Sequence, residues 1–353
     1  MNTEDKIKAF QLWGEFMGQT KERNYTPDLK GINAYFYEDY KQVIGEAELH
    51  NPWFTEKNIH YALQVWSHSL QSEALQEWAD HYAPLERETP KKVAVIMAGN
   101  IPLVGMHDFI SVLLSGNKVL VKPSSDDDKL LPFLAQILVA LERRFASYIE
   151  FADGSISNFD AVIATGSNNS ARYFEQYFGK YPHIIRQNRS SVAVLEHDTS
   201  REQLELLAED VFRYFGLGCR SVSKLLLPKG YDTDQIFEAF YKFKYLADHQ
   251  KYGHNLDYYR AIYLMEKIPF LENGFVMLKE DAGLHAPTGV LYYEYYNDEE
   301  HLQAKLKAWE SQLQCVVGAY TGAGDRVPFG ESQKPALHTY ADNVDTMQFL
   351  TQL

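Results

Sequence analysis

Cysteine is almost absent. Of 353 residues only two are Cys, Cys219 and Cys315, and they lie far apart with no CxxC and no Cys/His cluster around them. That excludes a disulfide framework and a structural zinc site, and leaves each thiol to act alone. Basic surplus is missing too: 34 Lys and Arg against 48 Asp and Glu give a net charge of −14, so the chain has no excess charge with which to neutralise nucleic-acid phosphates. Long apolar runs are also absent. Residues 1–20 alternate charged and apolar positions where a signal peptide would be continuously apolar, and no later stretch reaches the length of a membrane span. A cytoplasmic protein with neither nucleic-acid nor membrane partners is expected.

What the chain does contain is enough apolar material, 45% of its residues with 14% aromatic, for more than one core. A chain of this length exceeds what one core usually organises, so two packed domains with a cleft are expected. Residues 1–90 show apolar positions at helical spacing, for instance in FQLWGEFM and HYALQVWSHSLQSEALQEWADHYA. Then KVAVIMAG (92–99) reads as a buried parallel strand, with a helix expected to start at Asn100 and Pro102 in its first turn. KVLVKPS (118–124) and FDAVIAT (159–165) repeat the strand, and the helical LLPFLAQILVALERRF and ARYFEQYF follow them. Such alternation specifies a parallel sheet with crossover helices.

A second α/β block begins after residue 186. Its strands are SSVAVLE, SKLLLP, GVLYYEYY and CVVGAY, and its helices are REQLELLAEDVFRYF, TDQIFEAFYKFKYLA and EEHLQAKLKAWESQL. The expected division is 1–186 for the helical region and dinucleotide-binding domain, 187–326 for a catalytic domain, and 327–353 for a closing arm with a short final helix.

Asn100 sits where a buried strand is expected to meet a helix N-terminus, the place where α/β enzymes bind ligands; the plainer role for it is to cap that helix. Lys122 ends a strand and faces the same crevice, as a cofactor contact or as a solvated surface charge. The TGS at 165–167 precedes a helix and can hold an anionic phosphate, but it is not GxGxxG, and a helix cap explains Ser167 equally well. Cys219, in GLGCRSVSKLLLP (216–228), has Gly216 and Gly218 beside it to keep the sulfur approachable and Arg220 next to it to favour thiolate. A lone Cys is more often a buried filler, the role that suits Cys315 before VVGAY. His107 is read as an ordinary helix residue with no assigned role.

Taken in order, GNIPL, the strand ending KPSS, TGS before a helix and Gly-Cys after a long helix resemble the aldehyde dehydrogenase superfamily. Within it, AGNIPLVGMHDFISVLLSGNKVLVKPSSDD, FGLGCRSVSKLLLP and VPFGESQKPALHTYADNVDTMQFL are most similar to acyl-CoA reductases of the bacterial luminescence (LuxC-like) type. The resemblance implies a Rossmann-type cofactor domain plus a smaller α/β catalytic domain. It implies reduction of a fatty acyl-CoA or other acyl thioester to an aldehyde with NADP(H), or with NAD(H) as the alternative, and it allows a homo-oligomer and an acyl-transferring partner protein. Cys219 would be the nucleophile, and Asn100 with the Cys219 backbone N–H the oxyanion hole. Lys122, Ser124, Ser125, Thr165, Gly166 and Ser167 would bind the cofactor, Lys122 at the adenosine ribose or its phosphate and Ser167 at the pyrophosphate. No metal is implied.

Two segments depart from the superfamily pattern. The hydrolytic Glu of Glu-Leu-Gly-Gly-Lys is replaced in IRQNRSSVAVL (185–195), with Arg186 or Gln187 at its place, which favours exchange or reduction of an acyl group over its hydrolysis. LHAPTGVLYY (284–293) stands for Glu-Ile-Phe-Gly-Pro, so nicotinamide-ribose contacts are not assigned. A CoA-acylating dehydrogenase, an acyl-phosphate reductase or a non-catalytic nucleotide-binding relative are the competing readings.

Overall fold

The computed structural model describes residues 1–19, 26–318 and 326–353. Four helices come first: α1 (Thr3–Met17), α2 (Pro27–His50), α3 (Glu56–Ser69) and α4 (Ser72–Tyr82). The α1 stripe of Phe10, Trp13, Phe16 and Met17 is fully buried, as its helical spacing requires. The Trp13 indole N–H donates to the Leu134 carbonyl at 2.8 Å, so this polar atom is buried with its bond made.

An alternating run follows: β1 (Lys92–Ile96), α5 (Met106–Leu114), β2 (Lys118–Lys122), α6 (Leu130–Leu141), β3 (Ile149–Phe151), β4 (Ala161–Thr165), α7 (Asn168–Phe178) and β5 (His183–Arg186). All five strands are parallel, in the order β3-β2-β1-β4-β5. Val93, Ala94 and Val95 of the central strand are buried, the continuous apolar reading of a strand covered on both faces. The strand order reverses between β1 and β4, which makes the crevice at their carboxyl ends the ligand-binding position of such a sheet.

The helix after β1 differs from expectation. It begins at Met106 with Gly105 as its N-cap, because Asn100–Gly105 form bends and turns in which Leu103 adopts φ 58°. A left-handed leucine breaks the helical path, and Asp127 holds it there by accepting the Leu103 N–H at 2.9 Å.

The second sheet is built from β6 (Ser190–Val194), α8 (Arg201–Phe212), β7 (Val222–Pro228), α9 (Asp234–Phe240), α10 (Gln250–Glu266), β8 (Leu271–Glu272), β9 (Met277–Glu280), β10 (Val290–Tyr296), α11 (Glu299–Trp309), β11 (Leu313–Val317) and β12 (Arg326–Val327). Its order is β12-β11-β6-β7-β10-β9-β8, parallel except for β8 with β9. The end of the expected CVVGAY strand, Ala319 and Tyr320, lies outside the described residues. Helix α8 starts on a capping box: Ser200 Oγ accepts the Gln203 N–H, and the Gln203 side chain accepts the Ser200 N–H. The last helix is α12 (Thr346–Thr351).

The chain forms two compact units, residues 1–187 with 336–353, and residues 188–335. In the first, the 336–353 segment is tied down through side chains. His107 Nε2 meets the Leu337 carbonyl at 2.8 Å, Trp78 Nε1 donates to the Tyr340 hydroxyl at 2.8 Å, and Tyr82 donates to Asp345 at 2.7 Å. Burial pushes the His107 pKa below its usual value, consistent with a neutral structural imidazole. Among the described residues no helix is long and apolar enough to cross a membrane.

Candidate active site

In the first unit the three sequence-marked segments meet at one sheet edge. Register pairs Ile96 with both Lys122 and Ala164, so the loops after β1, β2 and β4, carrying Asn100, Lys122–Ser125 and Thr165–Ser167, emerge side by side from the carboxyl ends of adjacent strands. Their approach is close. A Cβ on Gly99 would stand 2.6 Å from Ser124 Oγ and 2.9 Å from the Asp126 Cβ, so only glycine lets the Asn100 loop pass the Lys122–Asp126 loop. A Cβ on Gly166 would likewise meet Ser170 Cβ and a Phe174 ring carbon at 2.9 Å.

Asn100 and Ser125 are exposed, while Lys122, Ser124, Thr165 and Gly166 are partly exposed. Ser167 caps α7 by accepting the Ser170 N–H at 3.2 Å, so its capping role is realised. Asn100 does not cap α5, since Gly105 occupies that position. Exposed Asp126 and Asp128 follow Ser125. The edge offers an anion a helix N-terminus, a lysine and hydroxyls at the sheet's switch point, groups of the kind that hold the phosphates and ribose of a dinucleotide.

The resemblance puts Arg186 or Gln187 at the place of the superfamily's hydrolytic Glu. Arg186 is instead buried as a strut: its guanidinium pairs with the buried Asp108 of α5 and donates to Thr346 Oγ1 at 2.9 Å. Burying two charges is tolerated because they meet each other and a hydroxyl.

In the second unit Cys219 lies on the short loop between α8 and β7 and is exposed, whereas Cys315 on β11 is 2% exposed. The backbone leading to Cys219 is strained. Tyr214, Phe215 and Gly216 are consecutively left-handed, at φ 54°, 58° and 75°; left-handed backbone costs a non-glycine residue about 1–3 kcal/mol. Packing holds them there, for both aromatic rings are buried, and that of Phe215 lies 4.4 Å from the His249 ring.

Beyond this kink the loop is fixed by three polar bonds, one to β6 and two to the segment around Ser332. Ser191 Oγ donates to the Cys219 carbonyl at 2.9 Å, Arg220 Nε donates to the Ser332 carbonyl at 2.6 Å, and Gln333 Nε2 donates to Ser221 Oγ at 3.3 Å. Residues 330–332 are held in turn by the fully buried Asp210, which accepts the Gly330 and Ser332 N–H groups at 2.6 and 2.9 Å. Ser191 Oγ also stands 3.1 Å from Cys315 Sγ.

Sequence reasoning missed Ser190, Ser191, Asp127 and His285. Ser190 Oγ and His285 Nδ1 share a short hydrogen bond, and Ser223 Oγ donates to the Leu284 carbonyl at 2.6 Å. The two segments that departed from the superfamily pattern contain Ser190, Ser191 and His285, so the signal was present as an anomaly.

A sequence profile of the acyl-CoA reductase (LuxC) family matches residues 19–240. None of the curated proteins matches the chain. Solved structures do. Aldehyde dehydrogenase 21 from Physcomitrella patens, determined in complex with the reaction product succinate, superposes with a TM-score of 0.65 at 12% identity, covering 99% of this chain and 88% of that one. A Mycobacterium tuberculosis aldehyde dehydrogenase complexed with NAD+ gives 0.63 at 14% identity, covering 99% and 87%. An E. coli NADP-dependent enzyme gives 0.59 at 14%, covering 91% and 74%. At such identities the structural likeness establishes the fold, that of the aldehyde dehydrogenases. The match of the family profile, which covers more than half of the sequence, establishes the family: the chain belongs to the acyl-CoA reductases of the LuxC type.

Proposed function

We propose that the protein reduces an acyl-CoA or related acyl thioester to an aldehyde through a covalent thioester on Cys219, with NADP(H) as the preferred cofactor. The observation that carries this reading is the contrast between the two thiols. Cys219 is exposed on a strained loop pinned by bonds to β6 and to the Ser332–Gln333 segment, while Cys315 is buried in a strand. Pinning a nucleophile lowers the cost of reaching the carbonyl in an attacking geometry.

In the first half-reaction a bond forms between Cys219 Sγ and the acyl carbon, and the carbon–sulfur bond to coenzyme A breaks. The Asn100 amide and the Cys219 backbone N–H are the donors proposed for the oxyanion that develops. A reduced nicotinamide bound there would supply the hydride; as the acyl carbon takes it up, the carbon–sulfur bond to Cys219 breaks, which releases the aldehyde and returns Cys219 as thiolate. Lys122, Ser124, Ser125, Thr165, Gly166 and Ser167 are proposed to hold the dinucleotide, with the N-terminus of α7 toward its phosphates. With Arg186 or Gln187 in place of the superfamily's water-activating Glu, and Arg186 itself committed to Asp108 and Thr346, a thioester that waits for hydride is favoured over one that hydrolyses.

Protein mixed with an acyl-CoA but no reduced cofactor is expected to gain one acyl group, mapped by mass spectrometry to the peptide containing GLGCR. Reduced cofactor should discharge it as aldehyde, and Cys315 should stay unmodified. Cys219→Ala should abolish labelling and turnover. Full reductase activity in that variant would overturn the proposal.

A further inference from the structure

Strand order decides what stands beside Cys219. In the second unit β6, β7 and β10 are consecutive and parallel, so the segments entering them share one edge. Ser190 and Ser191 open β6, Cys219–Ser221 lead into β7, and Leu284–Pro287 lead toward β10. Adjacent strands are about 4.8 Å apart, which puts β6 and β10 on either side of β7.

His285 comes from the β10 side, yet its ring is bonded to Ser190 on β6. To make that bond it reaches across the entrance of β7, into which Cys219–Ser221 lead. The flanking bonds hold the same crossing: Ser191 Oγ to the Cys219 carbonyl at 2.9 Å and Ser223 Oγ to the Leu284 carbonyl at 2.6 Å. The imidazole is exposed, and among the described residues its Nε2 carries no hydrogen bond.

We infer that His285, oriented by Ser190, is the proton carrier for Cys219. Resting on the thioester reading above, the inference supplies what that reading lacks, a base for the thiol. With Nδ1–H donating to Ser190 Oγ, Nε2 presents its lone pair. It takes the Sγ proton as the sulfur attacks, and the new carbon–sulfur bond forms as the bond to coenzyme A breaks. The imidazolium then passes the proton to the departing thiolate, so coenzyme A leaves as the thiol and His285 returns neutral. Charge and protons balance without any further reactant. An imidazole suits this exchange because its two nitrogens let it accept a proton on one and return it from the same atom near neutral pH.

Other charges on the surrounding elements are committed elsewhere. Arg189 donates to the Leu313 carbonyl, Arg220 to the Ser332 carbonyl, and Asp210 accepts the Gly330 and Ser332 N–H groups. Lys224 pairs with Glu294 and donates to the Asp281 and Gly283 carbonyls, while Asp281 pairs with Lys279. Among the described residues of this edge, His285 is the side chain that keeps a ring nitrogen, Nε2, outside these bonds.

The test measures alkylation of Cys219 by iodoacetamide between pH 5.5 and 10, with no substrate present, in the full chain and in His285→Gln. Near pH 7 the variant should react about tenfold more slowly. The two rates should converge above about pH 9, where a thiol ionises unaided. Ser190→Ala should give a smaller loss, and Ser190→Thr, which keeps the hydroxyl, should restore the rate. Turnover of His285→Gln should fall about 100-fold, within the usual range for a proton-transfer residue. Unchanged alkylation rates and pH dependence in both His285→Gln and His285→Asn would overturn the inference. Failure of the parent reading looks different: the wild-type protein would take up no acyl label from acyl-CoA, whatever the alkylation rates show.

Discussion

Asn100→Ala is expected to lower turnover about 100-fold to 1,000-fold, the cost of removing one oxyanion donor, while leaving the melting temperature and cofactor binding nearly unchanged. The structure sharpens this expectation, because Gly105 and not Asn100 caps α5, so no helix end is lost with the amide. Turnover and melting temperature measured on the same variant check it; a large loss of stability with unchanged rate would assign Asn100 to the fold alone. At this scale the sequence was legible where geometry is local. Asn100 and Cys219 are flanked by their own glycines, and those glycines permit the close approach and the turn that the structure shows. Ser190 and His285 were illegible because they are 95 residues apart and meet only through strand pairing, which no local pattern encodes. Arg186 shows the same limit from the other side. Its position suggested a missing base, but its partner Asp108 is 78 residues away, and only the fold reveals the strut.

The loop after β2 shows how one element sets the shape of another. Asp127 accepts the Leu103 N–H through Oδ2, and its Oδ1 is buried with no protein donor. Burial pushes its pKa up to about 6, against the pull of the Leu103 N–H, with Asp128 adding repulsion. The native state therefore holds this proton more tightly than the unfolded chain. The stability so gained is complete below about pH 4 and is lost as pH rises through about 6. The cost of ionisation above that pH is on the order of 3 kcal/mol. Asp127→Asn keeps an acceptor for Leu103 and carries no charge, so its melting temperature should exceed that of wild type at pH 7.5. The gap should close toward pH 4. Melting curves across that range decide the matter, and a parallel pH dependence in both proteins would refute it. Elements with strong internal patterns, β1, β2, β4, α6 and α8, were readable in sequence. The edge strands β3 and β5 are too short for periodicity to register, and α10 buries only Tyr252, Leu256 and Tyr263, too weak a stripe to distinguish it from a loop. The helix start at Asn100 was misplaced because proline and a polar residue also suit a turn, and a left-handed Leu103 has no sequence signature.

Over the whole molecule, the residues proposed for the dinucleotide belong to the first unit and the nucleophile to the second, so the two functions should separate by mutation. Cys219→Ala should bind reduced cofactor as wild type does. The choice of cofactor is then a question of charge in the first unit, set within a chain whose net charge of −14 disfavours anions generally. NADPH carries the more negative adenosine end, and its selection requires local compensation. Lys122 at the end of β2 supplies a cation, and Ser125 lacks the carboxylate that would bond the free ribose hydroxyls and repel a 2′-phosphate. The exposed Asp126 and Asp128 act against this, so the expected preference for NADPH is moderate. Steady-state kcat/KM should favour NADPH over NADH in the wild type. Lys122→Gln should erase most of that difference by raising KM for NADPH. Asp126→Asn should enlarge it by removing a repulsion, an effect that weakens as salt screens exposed charges over about 10 Å at 0.1 M. Better use of NADH than of NADPH by the wild type would reverse the assignment of Lys122 and Ser125, while leaving the chemistry at Cys219 to be judged by its own labelling experiment.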